Sequence, residues 1–258
     1  MNTSWNPLVY DYKKPEKFKI ENLIDGKNPA VVIKNFYERK SCQFACSKIK
    51  NYSIHNHEEG LIKKIGVFLS AYLQRPDAYF NEVNVSQNKI NEIFDNLENP
   101  IEKIKSLLSS CFQRDVSIAK ENGKEYSSSI IRIHEKNDYA PLHRDNAKFE
   151  AEAFSVSSFD SQLSCVLHLQ SCSNGGDLKI YRQFWKKQDE KFRNPGFGYS
   201  KNVLDSKEYV KIKPEVGDLI IINPLFYHEV LPILDFTRIS LGTFFGYSKK
   251  LSEAVIWA

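Results

Sequence analysis

The chain has 258 residues, 41% hydrophobic and 26% charged, which is the profile of a globular protein and excludes a mainly disordered one. At roughly 150 residues per domain the length admits one large domain or two small ones, and 11 Gly with 10 Pro exclude a collagen-like or low-complexity architecture. A formal net charge of +4, with no Lys/Arg block, leaves no electrostatic footprint for nucleic acid.

Taken in chain order, residues 1–28 read as a polar lead-in. AVVIKNF (30–36) is a short β-branched run and predicts a strand, followed by a short helix over 37–50. Over 59–75 the apolar residues Leu61, Ile62, Ile65, Phe68, Leu69 and Leu73 recur at helical spacing and predict an amphipathic helix. The same pattern runs through 88–114 (Ile90, Ile93, Phe94, Leu97, then Ile101, Ile104, Leu107, Leu108), with Pro100 dividing two helices. Near residue 126 the character changes. Strands are expected over 127–135, 161–170, 177–184, 208–214, 217–224 and 237–248, at a spacing that suits an antiparallel sandwich or barrel. The expectation is a single α+β domain over 1–258. In it, 1–125 forms a mainly helical flanking part with a strand near 30–36, 126–248 the β core, and 249–258 a C-terminal tail. The long polar connection 185–207 is a candidate lid.

Five cysteines (Cys42, Cys46, Cys111, Cys165, Cys172) form no CxxC pair and read as reduced thiols. The N-terminus has no apolar leader, and no run of about 18 apolar residues occurs. The expected compartment is the cytoplasm, with no membrane partner.

The chemistry gathers in PLHRDN, where His143 and Asp145 are separated by one residue and so share a face of an extended segment. A second histidine, His228, follows 85 residues later in NPLFYHEV, and Arg238 and Ser240 follow in TRIS. Two imidazoles and a carboxylate suit one face of an octahedral Fe(II), leaving three positions open. A 2-oxo acid can chelate two of these and O2 can take the third. A guanidinium such as Arg238 offers a planar fork to the far carboxylate of the 2-oxo acid, and Ser240, two residues along a strand, faces the same way.

On these residues the sequence resembles the Fe(II)/2-oxoglutarate-dependent dioxygenases, whose core is a double-stranded β-helix (a cupin-like jelly roll). The turn-then-strand segments Asn174-Gly175-Gly176-Asp177-Leu178 and Pro214-Glu215-Val216-Gly217-Asp218-Leu219 carry the likeness further. More narrowly, SSIIRIHE, DSQLS, GGDLKIY, PEVGDLIIINPLFYHEV and TRISLGTFFGYSKK resemble the cyanobacterial hapalindole/welwitindolinone alkaloid halogenase group, over roughly residues 127–258. That likeness implies a jelly-roll core behind a layer of N-terminal helices. It also implies Fe(II) held by His143, Asp145 and His228, with 2-oxoglutarate anchored by Arg238 and Ser240 and with O2 as co-substrate. Those halogenases carry Gly where this chain has Asp145, and the missing carboxylate opens a position for chloride. With Asp145 in place the implied outcome is hydroxylation or desaturation of an unactivated C–H bond in a small molecule of secondary or amino-acid metabolism.

Arg132, on the strand entering the motif, is a candidate for holding 2-oxoglutarate or a substrate carboxylate. Asn146, Phe149, Phe154, Trp185 and Phe197 are candidates for a substrate pocket. A carrier-bound substrate stays open through the basic residues near 186–193. Two rival functions also stay open: a protein- or peptide-modifying oxygenase, and a non-catalytic jelly-roll binding protein.

Overall fold

A computed structural model describes residues 5–14, 18–52, 55–56, 62–205, 208–248 and 253–258. The first half contributes strands β1 (Leu8–Asp11), β2 (Ala30–Lys34), β3 (His55–Asn56) and β4 (Lys63–Ile65), and helices α1 (Glu21–Ile24), α2 (Arg39–Ile49), α3 (Pro76–Ile93) and α4 (Pro100–Phe112). Short strands β5 (Ser117–Ile118), β6 (Lys120–Glu121) and β7 (Lys124–Glu125) lead into β8 (Ile130–His134), β9 (Ala140–His143), the one-turn helix α5 (Ala147–Glu150) and β10 (Ser161–Gln170). Then follow β11 (Leu178–Phe184), β12 (Tyr209–Ile212), β13 (Leu219–Ile222), β14 (Phe226–Val230), β15 (Arg238–Ser248) and β16 (Glu253–Trp257).

A large sheet runs in the order β1-β2-β13-β10-β15-β8-β4-β3, with β16 on β15 and β5 on β16. A four-stranded sheet, β12-β11-β14-β9, faces it, and β6 and β7 form a separate ribbon. Two facing, mainly antiparallel sheets with helices outside one of them are the α+β jelly-roll arrangement; the parallel pairs, β1 with β2 and β5 with β16, lie at the margins of the large sheet.

Strand alternation decides which residues meet which layer. On the outer face of the large sheet Ile131, Ile133, Leu163, Cys165, Leu167, Leu169, Leu219, Ile221, Ile239 and Leu241 are buried in one cluster with the helices. Helix α2 presents Cys42, Ala45, Cys46 and Ile49 to it, the spacing of one helix face. Helix α4 begins where Asn99 Oδ1 accepts the amide protons of Ile101 and Glu102 and Pro100 fills the first helical position. Each large side chain buried here contributes about 1.5–3 kcal/mol, so the outer face supplies the main core. The inner face is divided. At one end Ala30, Val32, Ile220 and Ile222 pack on Ile180, Ile212 and Phe226 of the small sheet, and at the other end polar residues take over.

One expected element is corrected. The helix over 59–75 is not formed. Residues 59–61 lie outside the described residues, Lys63–Ile65 is strand β4 paired to β8, and only Leu69–Ala71 makes a 3-10 turn. The apolar residues Ile65, Val67 and Leu69 also alternate, and all three are buried. Gly66 takes φ +112°, which breaks a helix there. The stretch carried both periods, and pairing with Ile131–Ile133 selected the strand. Part of the expected tail is structured: Glu253–Trp257 forms β16 and buries Trp257, while 249–252 lie outside the described residues. The candidate lid contains 3-10 turns at Lys187–Phe192 and Lys201–Val203, with 206 and 207 outside the described residues. All five cysteines are free, four of them buried.

Candidate metal centre and co-substrate pocket

Strands β9 and β14 lie side by side with His143 directly opposite His228. Their ring centroids are 4.1 Å apart. Each Nδ1 lies against a carbonyl two residues earlier in its own strand, Pro141 O at 2.7 Å and Phe226 O at 2.8 Å. A carbonyl can only accept, so both Nδ1 atoms carry the proton and both Nε2 lone pairs are left for a cation. Asp145 follows β9, its amide donating to Pro224 O at 2.9 Å, and its Oδ2 stands 3.6 Å from His228 Nε2. One ligand atom from each of the three residues falls within 4.8 Å of the others, so together they could hold a metal ion.

The electrostatics favour the same state. Burial pushes the Asp145 carboxyl up, but contact with His228 and the charges of His143, His228 and Arg132 outweigh it, and the pKa falls to about 2. Burial, followed by the neighbouring His228, takes His143 down to about 4. At neutral pH the aspartate is ionised and this imidazole is neutral, as metal ligands must be.

Beyond the triad, the inner face of the large sheet carries a polar patch. In the register of β8, β15 and β10, Arg238 pairs with His134, Ser240 with Arg132, and His168 with Ser240, so all five side chains share one face. Arg238 is buried, with Nη1 3.3 Å from His134 Nδ1. Burial lowers its pKa to about 10. His134 and His168 are held well below the ordinary histidine range, first by burial and then by Arg238. His134 Nε2, His168 Nδ1 and Arg238 Nε are buried without hydrogen-bond partners among the described residues. Orphaned buried polar atoms cost about 1–3 kcal/mol each and are rare in folded proteins. Three together beside an arginine that no described carboxylate pairs with make a cradle for an anionic, hydrogen-bonding ligand. A 2-oxo diacid would suit such a cradle, with a carboxylate toward Arg238 and Ser240.

The remaining candidates separate. Phe197 is 47% exposed and its ring lies 5.1 Å from that of His143. The chain can run there because Gly198, at φ +86°, passes so close to β9 that a Cβ would meet Leu142 O at 2.7 Å. Asn146 is committed to capping α5, its Oδ1 accepting from Phe149 N at 3.3 Å. Phe149 and Trp185 pack together at 4.6 Å. Phe154 is buried in a separate aromatic cluster with Tyr79, Phe80 and Tyr126.

Arg144, between the two motif residues, was not singled out by the sequence. Alternation turns it away from the triad, and its fully buried guanidinium pairs with Glu150 at 2.9 Å and Glu190 at 3.1 Å. It lies 4.3 Å from the Trp185 ring and 5.2 Å from Phe149. Trp185 Nε1 and Tyr199 OH both donate to Glu190. Arg144 thus fastens the 185–200 segment to the metal motif. The signal in the sequence was acids and aromatics interleaved over 185–199, which spacing alone does not link to residue 144.

Residues 8–258 match the family model of the carrier-protein-independent halogenase WelO5. Leucinostatins biosynthesis cluster protein S of Purpureocillium lilacinum is 32% identical over 151 residues, 56% of this chain; the chain spans 61% of the length of that curated relative. An N-substituted L-amino acid dioxygenase from Burkholderia ambifaria has a similar structure, with TM-score 0.62 and 14% identity over 93% of this chain and 90% of that one. HygX from Streptomyces hygroscopicus, solved with nickel and 2-oxoglutarate, gives TM-score 0.55 and 10% identity over 90% and 88%. At these identities the two structures show the shared fold. No helix among the described residues is long and apolar enough to cross a membrane. The chain belongs to the WelO5 family of the non-haem iron, 2-oxoglutarate-dependent oxygenases, whose chemistry draws on Fe(II), 2-oxoglutarate and O2.

Proposed function

We propose that the protein hydroxylates or desaturates an unactivated C–H bond of a free small organic molecule in secondary or amino-acid metabolism. His143, Asp145 and His228 hold Fe(II), and Arg238 with Ser240 holds the far carboxylate of 2-oxoglutarate. The observation that carries the reading is the ionised carboxylate of Asp145 standing with the two Nε2 atoms. When bound, iron and 2-oxoglutarate supply the oxidising power, as O2 is reduced and 2-oxoglutarate is converted to succinate and CO2. The protein's part is to fix both imidazole tautomers through Pro141 and Phe226, to keep the carboxylate charged, and to cover the site with Phe197. A small-molecule substrate is supported by the biosynthetic-cluster relative and by the amino-acid dioxygenase of like fold. The family's carrier-protein independence favours a free substrate over a carrier-bound one.

Halogenation is the second reading, because the family is described by a halogenase. Asp145 weighs against it by occupying the position a halide would take. The test is succinate release with Fe(II), 2-oxoglutarate and O2, run with and without chloride. Succinate formation without chlorinated product supports the proposal. Arg238→Ala should raise KM for 2-oxoglutarate roughly 10- to 100-fold, the worth of charge-assisted hydrogen bonds, and His143→Ala should abolish turnover. Turnover that persists in His143→Ala would overturn the ligand assignment.

A further inference from the structure

We propose that Arg132 and Lys64 form a second anion-binding subsite beside the triad, and that it receives a carboxylate carried by the organic substrate. The inference rests on the oxygenase reading above and names the class of molecule that reading leaves open, an organic acid with an apolar body.

Register comes first. Lys64 of β4 stands opposite Arg132 of β8, which stands opposite Ser240 of β15, so Lys64 and Arg132 both project from the inner face. Arg132 is distinct from the arginine assigned to 2-oxoglutarate. Arg238 sits at the end of the patch near His134, Cys172 and Gly176. Arg132 lies toward the triad, near enough for its charge to help hold Asp145 ionised.

A divalent metal and two guanidiniums carry four positive charges, while Asp145 and a dianionic 2-oxo acid supply three negative ones, before Lys64 is counted. No described carboxylate lies within ion-pairing distance of Arg132 or Lys64, whereas buried Arg144 has two such partners. Among the described residues, the acid that bears on Arg132 is Asp145, at longer range. Burial and the neighbouring Arg132 depress the Lys64 ammonium to about 8. An uncompensated pair of half-buried cations is costly unless a ligand anion completes it.

The site is also built for the guanidinium. A Cβ on Gly242 would stand 2.4 Å from Arg132 Nη1 and 3.4 Å from its Cζ. The absence of a side chain at 242 lets Arg132 lie over strand β15. Around it a small cavity is lined by Phe68, Ile130 and Phe244 together with Ser164, Thr243 and Ala258, and at its edge the Lys64 Nζ sits 3.9 Å from the Phe68 ring centroid. A cationic pair edged by apolar rings is the complement of an amphipathic acid.

The experiment uses N-acyl-L-amino acids and their primary amides as matched probes, with the iron- and 2-oxoglutarate-loaded enzyme. The readout is stimulation of succinate release above the uncoupled rate. Acids should stimulate and their amides should not. Arg132→Gln should raise KM for a stimulating acid roughly 10- to 100-fold while KM for 2-oxoglutarate moves by less than about twofold. Arg132→Lys should recover part of the loss. Gly242→Ala, which keeps the charge but displaces it, should reproduce the Gln phenotype. If acid and amide act alike, if neither stimulates, or if Arg132→Gln raises KM for 2-oxoglutarate instead, the proposal is overturned. Uncoupled succinate release in the wild type separates the two readings, because its absence would count against the oxygenase itself.

Discussion

Replacing Arg144 with methionine tests whether the metal motif and the 185–200 segment are one unit. The guanidinium is fully buried and makes two ion pairs, at 2.9 and 3.1 Å. Removing one partner of a buried pair costs about 3–5 kcal/mol. Glu150 and Glu190 remain 20% and 26% exposed and both keep Arg193, at 3.3 and 3.2 Å, so the lower end applies, about 3 kcal/mol. For a chain of this size that corresponds to a Tm lower by about 6–12 °C. Arg193→Met, a half-exposed pair member, should cost under about 1 kcal/mol. The functional consequence follows from Phe197. Its segment is held to β9 by Tyr199 N donating to Leu142 O at 2.7 Å and by the Glu190 network around Arg144. With Arg144 gone, Phe197 no longer sits reproducibly over His143, and the substrate is less well placed when the co-substrate is consumed. The assay is thermal denaturation together with the ratio of organic product to succinate. The reasoning fails if Arg144→Met melts within about 2 °C of wild type and keeps the same ratio.

Three further outcomes are expected. His134, His143 and His168 all have folded-state pKa values below the ordinary 6.5, so the unfolded chain takes up protons that the metal-free native state refuses. Stability of the metal-free protein is therefore full above about pH 7.5 and is lost as pH falls from about 6.5 toward 4, with about 1 kcal/mol from His143 alone at pH 5.5 and a further loss of the same sign from His134 and His168. Urea midpoints at the two pH values check this, and equal midpoints would contradict it. Asp145→Gly should retain Fe(II) and 2-oxoglutarate binding, lose the hydroxylated product and yield chlorinated product in chloride, as mass spectrometry would show. Cys42 and Cys46 are buried on α2, and burial pushes their thiols up to about 12 and about 11. Neither should react with an alkylating reagent at pH 8 until the protein unfolds, which peptide mapping would detect.

Much of the fold was legible because single strands carry strong alternation. Ser161–Gln170 was expected and found with the same ends, and Pro100 divides the helical region at the start of α4. What escaped was set by partners distant in the chain. Strand β9 is four residues long with a proline in it, tolerable only because β9 is at a sheet edge. Strand β14 hides its alternation among aromatics that are buried on both faces. Around Lys64 the local period pointed to a helix, and pairing with β8 overrode it. In the candidate site, residue type and spacing picked out His143, Asp145, His228 and Arg238, because their chemistry is specific. Proximity in sequence, the one signal the aromatic residues offer, does not distinguish Phe197 beside His143 from Phe154 in a packed cluster.

Strand β10 shows what the parity of a strand permits. Its odd-numbered residues, Leu163, Cys165, Leu167 and Leu169, anchor the architecture, while its even-numbered Ser164 and His168 look toward the chemistry. A mutation at Ser164, which lines the cavity around Arg132, can therefore alter which molecule is admitted without weakening the scaffold that the odd set maintains.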